Sequence, residues 1–111
     1  MNYVDGAKSI DLKKMQHSAG EVVSLLKALS HPDRMLLLCQ ISKGESCVGE
    51  LEDLLQIHQP MLSQHLGALK RAKLVRTRRV GKHINYAIAN TLAMPIIEKL
   101  YGYYCLHSQP I

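Results

Sequence analysis

One stretch, Glu45 to Arg71, constrains this chain more than any other. It reads ESCVGELEDLLQIHQPMLSQHLGALKR, two short helical patterns joined by a tight connection. In the first, Leu51, Leu54 and Leu55 fall on one face at helical spacing. Cys47-Val48-Gly49-Glu50 opens it as a capping box with Cys in the Ser/Thr place, so that Glu50 can reach back to the free amides. The second pattern begins near Gln59-Pro60; proline is tolerated in a first turn because its missing N–H has no helical partner there. Leu62, Leu66 and Leu69 then share one stripe and leave Met61, Ser63, Gln64, His65 and Lys70 on the other faces. A helix with one apolar stripe and an outer face of amide, hydroxyl and imidazole groups suits the major groove of DNA, because those groups pair with base edges. An ordinary amphipathic helix would show the same period, so the charges have to decide.

Between Asp53 and Glu98 there is no Asp or Glu. The same interval holds Lys70, Arg71, Lys73, Arg76, Arg78, Arg79 and Lys82, half of the chain's 14 Lys and Arg. A solvated face usually mixes signs, so a block of one sign directly after such a helix points to a polyanion. Neutralising phosphates supplies most non-specific DNA affinity. The two patterns together predict a helix-turn-helix with its second helix in the groove.

Several classes fall away. Net charge is +5 and the pI about 9.2, which favours anionic partners. Trp and Phe are absent, and of five Tyr three sit at Tyr101, Tyr103 and Tyr104, away from the basic block, which disfavours an RNA-stacking module. No apolar run is long enough to span a bilayer, so no membrane partner is expected. Asp5, Lys8, Asp11, Lys13 and Lys14 interrupt any signal-peptide core, so the expected compartment is the cytoplasm. There, Cys39, Cys47 and Cys105 are core residues, metal ligands or reactive thiols rather than a disulfide framework. A thiol oxidoreductase would bring Cys-x-x-Cys at a helix start within a βαβ pattern. Neither that nor a Ser/His/Asp or paired-carboxylate constellation is present, so the chain reads as a non-enzyme without a cofactor.

In order along the chain, residues 1–10 show no period and read as a flexible arm, and residues 11–107 as one domain. Helix α1 is expected over 11–29, where Leu12, Met15, Ala19, Val22, Val23, Leu26 and Leu29 approach a heptad seam that can pack on a partner helix. Ser30-His31-Pro32 breaks it. Helix α2, about 33–42, is nearly apolar all round at Met35-Leu36-Leu37-Leu38-Cys39 and should be central and buried. The two helices of the opening stretch are α3 and α4. A β-hairpin follows over 74–80 and 83–88, turning at Gly81-Lys82, with Val75, Thr77 and Arg79 on one face and Ile84, Tyr86 and Ile88 on one face of the return strand. Helix α5, about 91–106, carries the stripe Leu92, Ile96, Ile97, Leu100 and Tyr104. The order α1-α2-α3-α4-β-β-α5 is mainly α with a β-hairpin wing, a winged helix-turn-helix.

The segments ALSHPDRMLLLCQI, CVGELEDLL and QPMLSQHLGALKRAKLVRTRRVGKHINYAI resemble the ArsR family of small winged-helix repressors, over about residues 20–106. The resemblance implies a homodimer through α1 and α5 and an inverted-repeat operator on double-stranded DNA. It also implies that Gln59, Ser63, Gln64 and His65 face base edges, and that Lys70, Arg71, Arg76, Arg78, Arg79 and Lys82 serve the phosphates or the minor groove. His58 departs from the family, which usually has Ser before the Gln-Pro; a histidine caps a helix less well.

The family's branches differ in what they sense. Where a metal-sensing branch carries Cys-Val-Cys-Asp, this chain has Cys47-Val48-Gly49-Glu50, with one ligand kept. A second branch binds zinc through paired carboxylate and imidazole groups on its last helix, and residues 91–107 offer only Glu98 and His107 of those types. A closed zinc site wants four ligands, and neither place supplies them, so no metal site is expected. Cys39 and Cys105, by contrast, stand where the sulfide- and redox-responsive branch has its two cysteines. The resemblance therefore implies a repressor that binds its operator when reduced and releases it when Cys39 and Cys105 are linked, with a reactive sulfur or oxidant species as inducer. A metal-responsive repressor, and an antirepressor that competes with another DNA-binding protein, stay open as alternatives. Cys47, at a helix start where a thiolate is favoured, can be reactive without being the sensor.

Overall fold

The structure is a computed structural model and describes residues 9–107. The expected arm over residues 1–10 lies outside it but for the last two positions. Among the described residues, five α-helices, a three-stranded sheet and a terminal π-helical segment follow one another. Helix α1 spans Leu12–Leu29, α2 Pro32–Ile41, α3 Val48–Leu55, α4 Met61–Arg71 and α5 Ala93–Tyr101. Strand β1 is Ser46–Cys47, β2 Val75–Val80 and β3 His83–Ile88.

Local chemistry sets the helix ends. Asp11 caps α1 by accepting from the N–H groups of Lys13 and Lys14 at 2.9 and 3.2 Å. The His31 Nδ1 caps α2 by accepting from the Asp33 N–H at 3.0 Å, and Pro32 occupies its first turn. The Glu50 carboxylate accepts from the Cys47 N–H at 2.9 Å, which is the Glu half of the expected capping box. Gln56 ends α3 in the left-handed region with φ 57. The chain then turns through Ile57, which is buried and pins the connection to the core.

The core is a leucine cluster. Leu37 and Leu38 of α2, Leu51 of α3, Leu62, Leu66 and Leu69 of α4 and Leu74 ahead of the wing are fully buried. The α4 stripe read from the sequence is therefore the buried face of that helix. Truncating one of these leucines to Ala should cost about 2–5 kcal/mol. The wing pairs as the alternation demands, Val75 with Ile88, Thr77 with Tyr86 and Arg79 with Ile84. Gly81 takes the tight turn with φ +62, where an L side chain would be strained.

Four expectations need correction. Helix α2 is not buried all round: Leu36 is exposed, and Met35 and Cys39 are only partly covered, because that side opens onto a cavity facing α5. In α3, Leu54 is 62% exposed and only Leu51 is fully buried, since Leu54 and Leu55 lie about 100° apart on either side of Leu51 and it is the Leu55 side that packs on the core. Residues 46–47 form a strand on the far side of β3, in the order β1-β3-β2; two residues are too few to show alternation. The last helix keeps α-geometry only to Tyr101. Gly102–His107 continues it as a π-helical turn, where Gly102, a weak helix former, marks the change.

Exposed apolar side chains gather in two places. On α1, Leu12, Met15, Val22, Val23 and Leu26 are 38–75% exposed. At the other end of the chain Leu100, Tyr101, Tyr103, Tyr104 and Leu106 are exposed too. Contiguous apolar surface of this kind marks an interaction face. No helix among the described residues is long and apolar enough to cross a membrane.

Candidate nucleic-acid interface and cysteine pair

The outer face of α4 is polar as expected. Its N-terminus is capped from within the motif: the Gln59 Oε1 accepts from the Ser63 N–H at 3.1 Å and from its hydroxyl at 2.7 Å. This replaces the cap that His58 cannot give; His58 turns back to Glu52, Nδ1 to Oε2 at 3.2 Å. Gln59 and Ser63 thus hold each other in place on the exposed face. Gln64 is exposed and, among the described residues, its side chain makes no hydrogen bond, so both ends of the amide are available to a base edge.

His65 does not face a groove. It is 4% exposed and points inward, because at helical spacing it falls on the side of Leu62, Leu66 and Leu69. Its ring lies 4.2 Å from that of His31, its Nδ1 is 3.3 Å from the Arg34 Nη1, and its Nε2 is 3.7 Å from the Asp33 Oδ2. Burial, then His31 and Arg34, push its pKa down; Asp33 opposes them. His31, Asp33 and His65 offer ligand atoms within 4.8 Å of one another. Yet a bound metal needs a lone pair on each imidazole, and both Nδ1 lone pairs are already taken by N–H donors. A neutral ring then carries its proton on Nε2, and the Arg34 charge stands alongside. The cluster is a hydrogen-bonded joint.

The basic residues form two sets. Lys70 and Arg71 are exposed at the end of α4. The Arg71 guanidinium lies over Gly67, where a Cβ would come within 3.2 Å of its Nη1, so the glycine leaves room for the arginine to lie along the helix. On the wing, Arg76, Arg79 and Lys82 are exposed. Arg78 is exposed as well but already paired: Glu45 receives its Nη2 at 2.7 Å and its Nε at 3.3 Å, and Asn85 donates to the same carboxylate at 3.5 Å. The guanidinium beside Glu45 holds that carboxyl below its usual range. Glu45 opens the stretch that organises the sequence, but its role needs the β2–β3 register, which puts Arg78 opposite Asn85.

Cys39 and Cys105, distant in sequence, line one cavity of about 460 Å³ between α2 and the end of the chain. Pro32, Met35, Leu36, Ile97, Leu100, Tyr101 and Tyr104 complete an almost wholly apolar wall. The two cysteines are not joined by a disulfide. Cys39 is partly buried, and burial pushes its thiol up while Lys43 pulls it down less strongly. Cys105 is exposed, within the π-helical turn. Cys47 stands apart at the start of α3, paired in the sheet with Asn85.

Residues 31–77 match the model of the bacterial regulatory protein family named for arsR. The biofilm growth-associated repressor of Agrobacterium fabrum is 49% identical over 86% of this chain and 82% of its own. The transcriptional activator HlyU of Vibrio cholerae is 37% identical over 98% of this chain and 100% of its own. Among solved structures, the transcriptional repressor BigR of Xylella fastidiosa superposes with a TM-score of 0.80 at 42% identity, over 88% of this chain and 100% of that one.

Proposed function

The chain belongs to the ArsR family of bacterial transcriptional regulators, with a winged helix-turn-helix that binds DNA, and on that premise we propose that it is a dithiol redox switch. In this reading it acts in the cytoplasm as a homodimer through α1 and α5. It binds an inverted-repeat operator when reduced and lets go when Cys39 and Cys105 are linked. The exposed apolar faces of α1 and the chain's end support the dimer, and two-fold symmetry in a protein calls for two-fold symmetry in its site.

The observation that carries the switch is the shared cavity of Cys39 and Cys105. Exposed Cys105 meets the oxidant first, and Cys39, whose thiolate is disfavoured by burial, resolves the intermediate. Linking the two thiols removes two protons and two electrons. A peroxide takes these up as water; a polysulfide takes them up as released sulfide. The new bond ties α2 to the end of the chain and pulls on the helix that packs against α4. A relative named as an activator favours one variant, in which the protein raises expression by displacing another DNA-binding protein.

The test is peptide mapping of the reduced protein after exposure to peroxide or polysulfide. A fragment pair joining residues 39 and 105 of one chain, directly or through added sulfur, is expected. A pair through Cys47, or no pair while DNA affinity still changes, overturns the assignment.

A further inference from the structure

We propose that Arg34 and His65 are positioning residues for the DNA-reading helix, forming a joint between α1, α2 and α4 that holds only while His65 is neutral. This does not depend on the cysteine switch. Arg34 lies in the first turn of α2, and its three nitrogens go to three places. Nε donates to the Ala28 carbonyl at 2.7 Å and Nη2 to the Lys27 carbonyl at 3.1 Å. These belong to the last turn of α1, where carbonyls lack helical partners and the helix dipole favours a cation. Nη1 meets the His65 Nδ1 at 3.3 Å. One side chain thus fastens the end of α1 to α4, across α2.

The chemistry fixes the imidazole's state. Guanidinium offers donors only, so the His65 Nδ1 must present a lone pair, and in the neutral ring the proton is on Nε2. That Nε2 is fully buried and, among the described residues, has no hydrogen-bond partner; Asp33 at 3.7 Å is beyond reach. The ring is therefore held on one side only, by Arg34. Adding a proton would place a donor against a donor and a cation against a cation.

The titratable and charged groups that face His65 are His31, Asp33 and Arg34, all at the start of α2. From α1 the joint receives only backbone carbonyls. Burial, His31 and Arg34 resist the charged ring and Asp33 alone favours it, so His65 stays neutral through neutral pH and protonates below the ordinary histidine range. His65 follows Gln64 directly, about 100° round α4, and is buried where Gln64 is exposed. Releasing the inner anchor lets the outer face turn, and the helix loses its register on DNA. Protons and DNA then compete through linkage.

His65→Asn isolates the joint, since the amide oxygen can replace the Nδ1 lone pair and does not titrate. The experiment is DNA affinity between pH 8 and pH 5 for wild type, His65→Asn and Arg34→Ala, on a duplex selected from a random library. Nitrogen-detected imidazole spectra of the reduced protein accompany it. We expect Nδ1 of His65 unprotonated and Nε2 protonated at neutral pH. Wild type should lose about fivefold in affinity relative to His65→Asn across the acid range. Arg34→Ala should bind about tenfold more weakly at neutral pH and lose the His65 component of the profile. Parallel pH profiles for wild type and His65→Asn, or a proton on the Nδ1 of His65, overturn the proposal. If His65→Asn does not fold, the tautomer of the wild-type ring decides it.

Discussion

Glu45→Gln should make this protein bind DNA more tightly, with a steeper dependence on salt. The reason is the pair on the wing. Arg78 gives Glu45 two bonds, at 2.7 and 3.3 Å, so in the free protein one of the wing's cations is spent on a neighbouring carboxylate. A phosphate must compete with Glu45 for it, and Glu45 itself repels the DNA. Each further phosphate neutralised steepens the plot of log K against log salt by about 0.9. Two wings in a dimer make that roughly 1.8, so a tenfold drop in salt should raise the variant's affinity relative to wild type by about eightfold per wing. The neutral amide keeps the side chain's shape and can still accept from Arg78, so the fold should be unchanged. The assay is fluorescence anisotropy with one duplex over a salt series, on wild type, Glu45→Gln and Arg78→Ala. Arg78→Ala should flatten the slope by less than one ion per wing, because the arginine it removes was already neutralised. Acid should mimic the substitution only well below neutral: the carboxyl's pKa is lowered by Arg78, so the pair is intact above the free glutamate range and is lost as pH falls through the lowered value. Identical slopes for wild type and Glu45→Gln would refute the argument and place Arg78 away from the phosphates.

Three further outcomes are expected. Gln64→Ala should cost on the order of 1–3 kcal/mol on the preferred operator and relax sequence preference, read by competition against randomised duplexes. Iodoacetamide should label Cys105 before Cys39, and the gap should narrow as pH rises, because burial raises the Cys39 thiol and alkaline pH restores its thiolate; peptide masses over time check this. Val23→Asp should give a monomer by light scattering while changing the chain's own fold by no more than about 0.5 kcal/mol, since Val23 is 46% exposed in the single chain.

The elements are legible where a period repeats over several turns. The α4 stripe and the wing's alternation each follow from side chains that must share a face, and the structure keeps both; the α1 period marks the helix Leu12–Leu29. What stays hidden is shorter or depends on distance. Strand β1 has no period to show. The side of α2 left open by Cys39, Met35 and Leu36 has no sequence signal, because an all-apolar helix does not declare which side packs. His65 suggests a groove residue because a histidine reads as polar, while at its position on α4 it shares the side of the buried leucines. Its partner Arg34 stands in the His-Pro-Asp-Arg segment without a visible role, as its bonds run to α1 and α4 and neither is adjacent in sequence. The pairing of Glu45 with Arg78 likewise exists only once the sheet is closed.

The switch itself is tested most directly by titrating operator DNA with wild type, Cys39→Ser and Cys105→Ser, first with reductant and then after polysulfide or peroxide. Reduced, all three should bind alike. After oxidation only wild type should weaken, by about 5- to 150-fold, the range of ordinary allosteric coupling, and reductant should restore it. Release of both serine variants as readily as wild type would contradict the Cys39–Cys105 link, and release of reduced wild type by zinc would return the metal-responsive reading in its place.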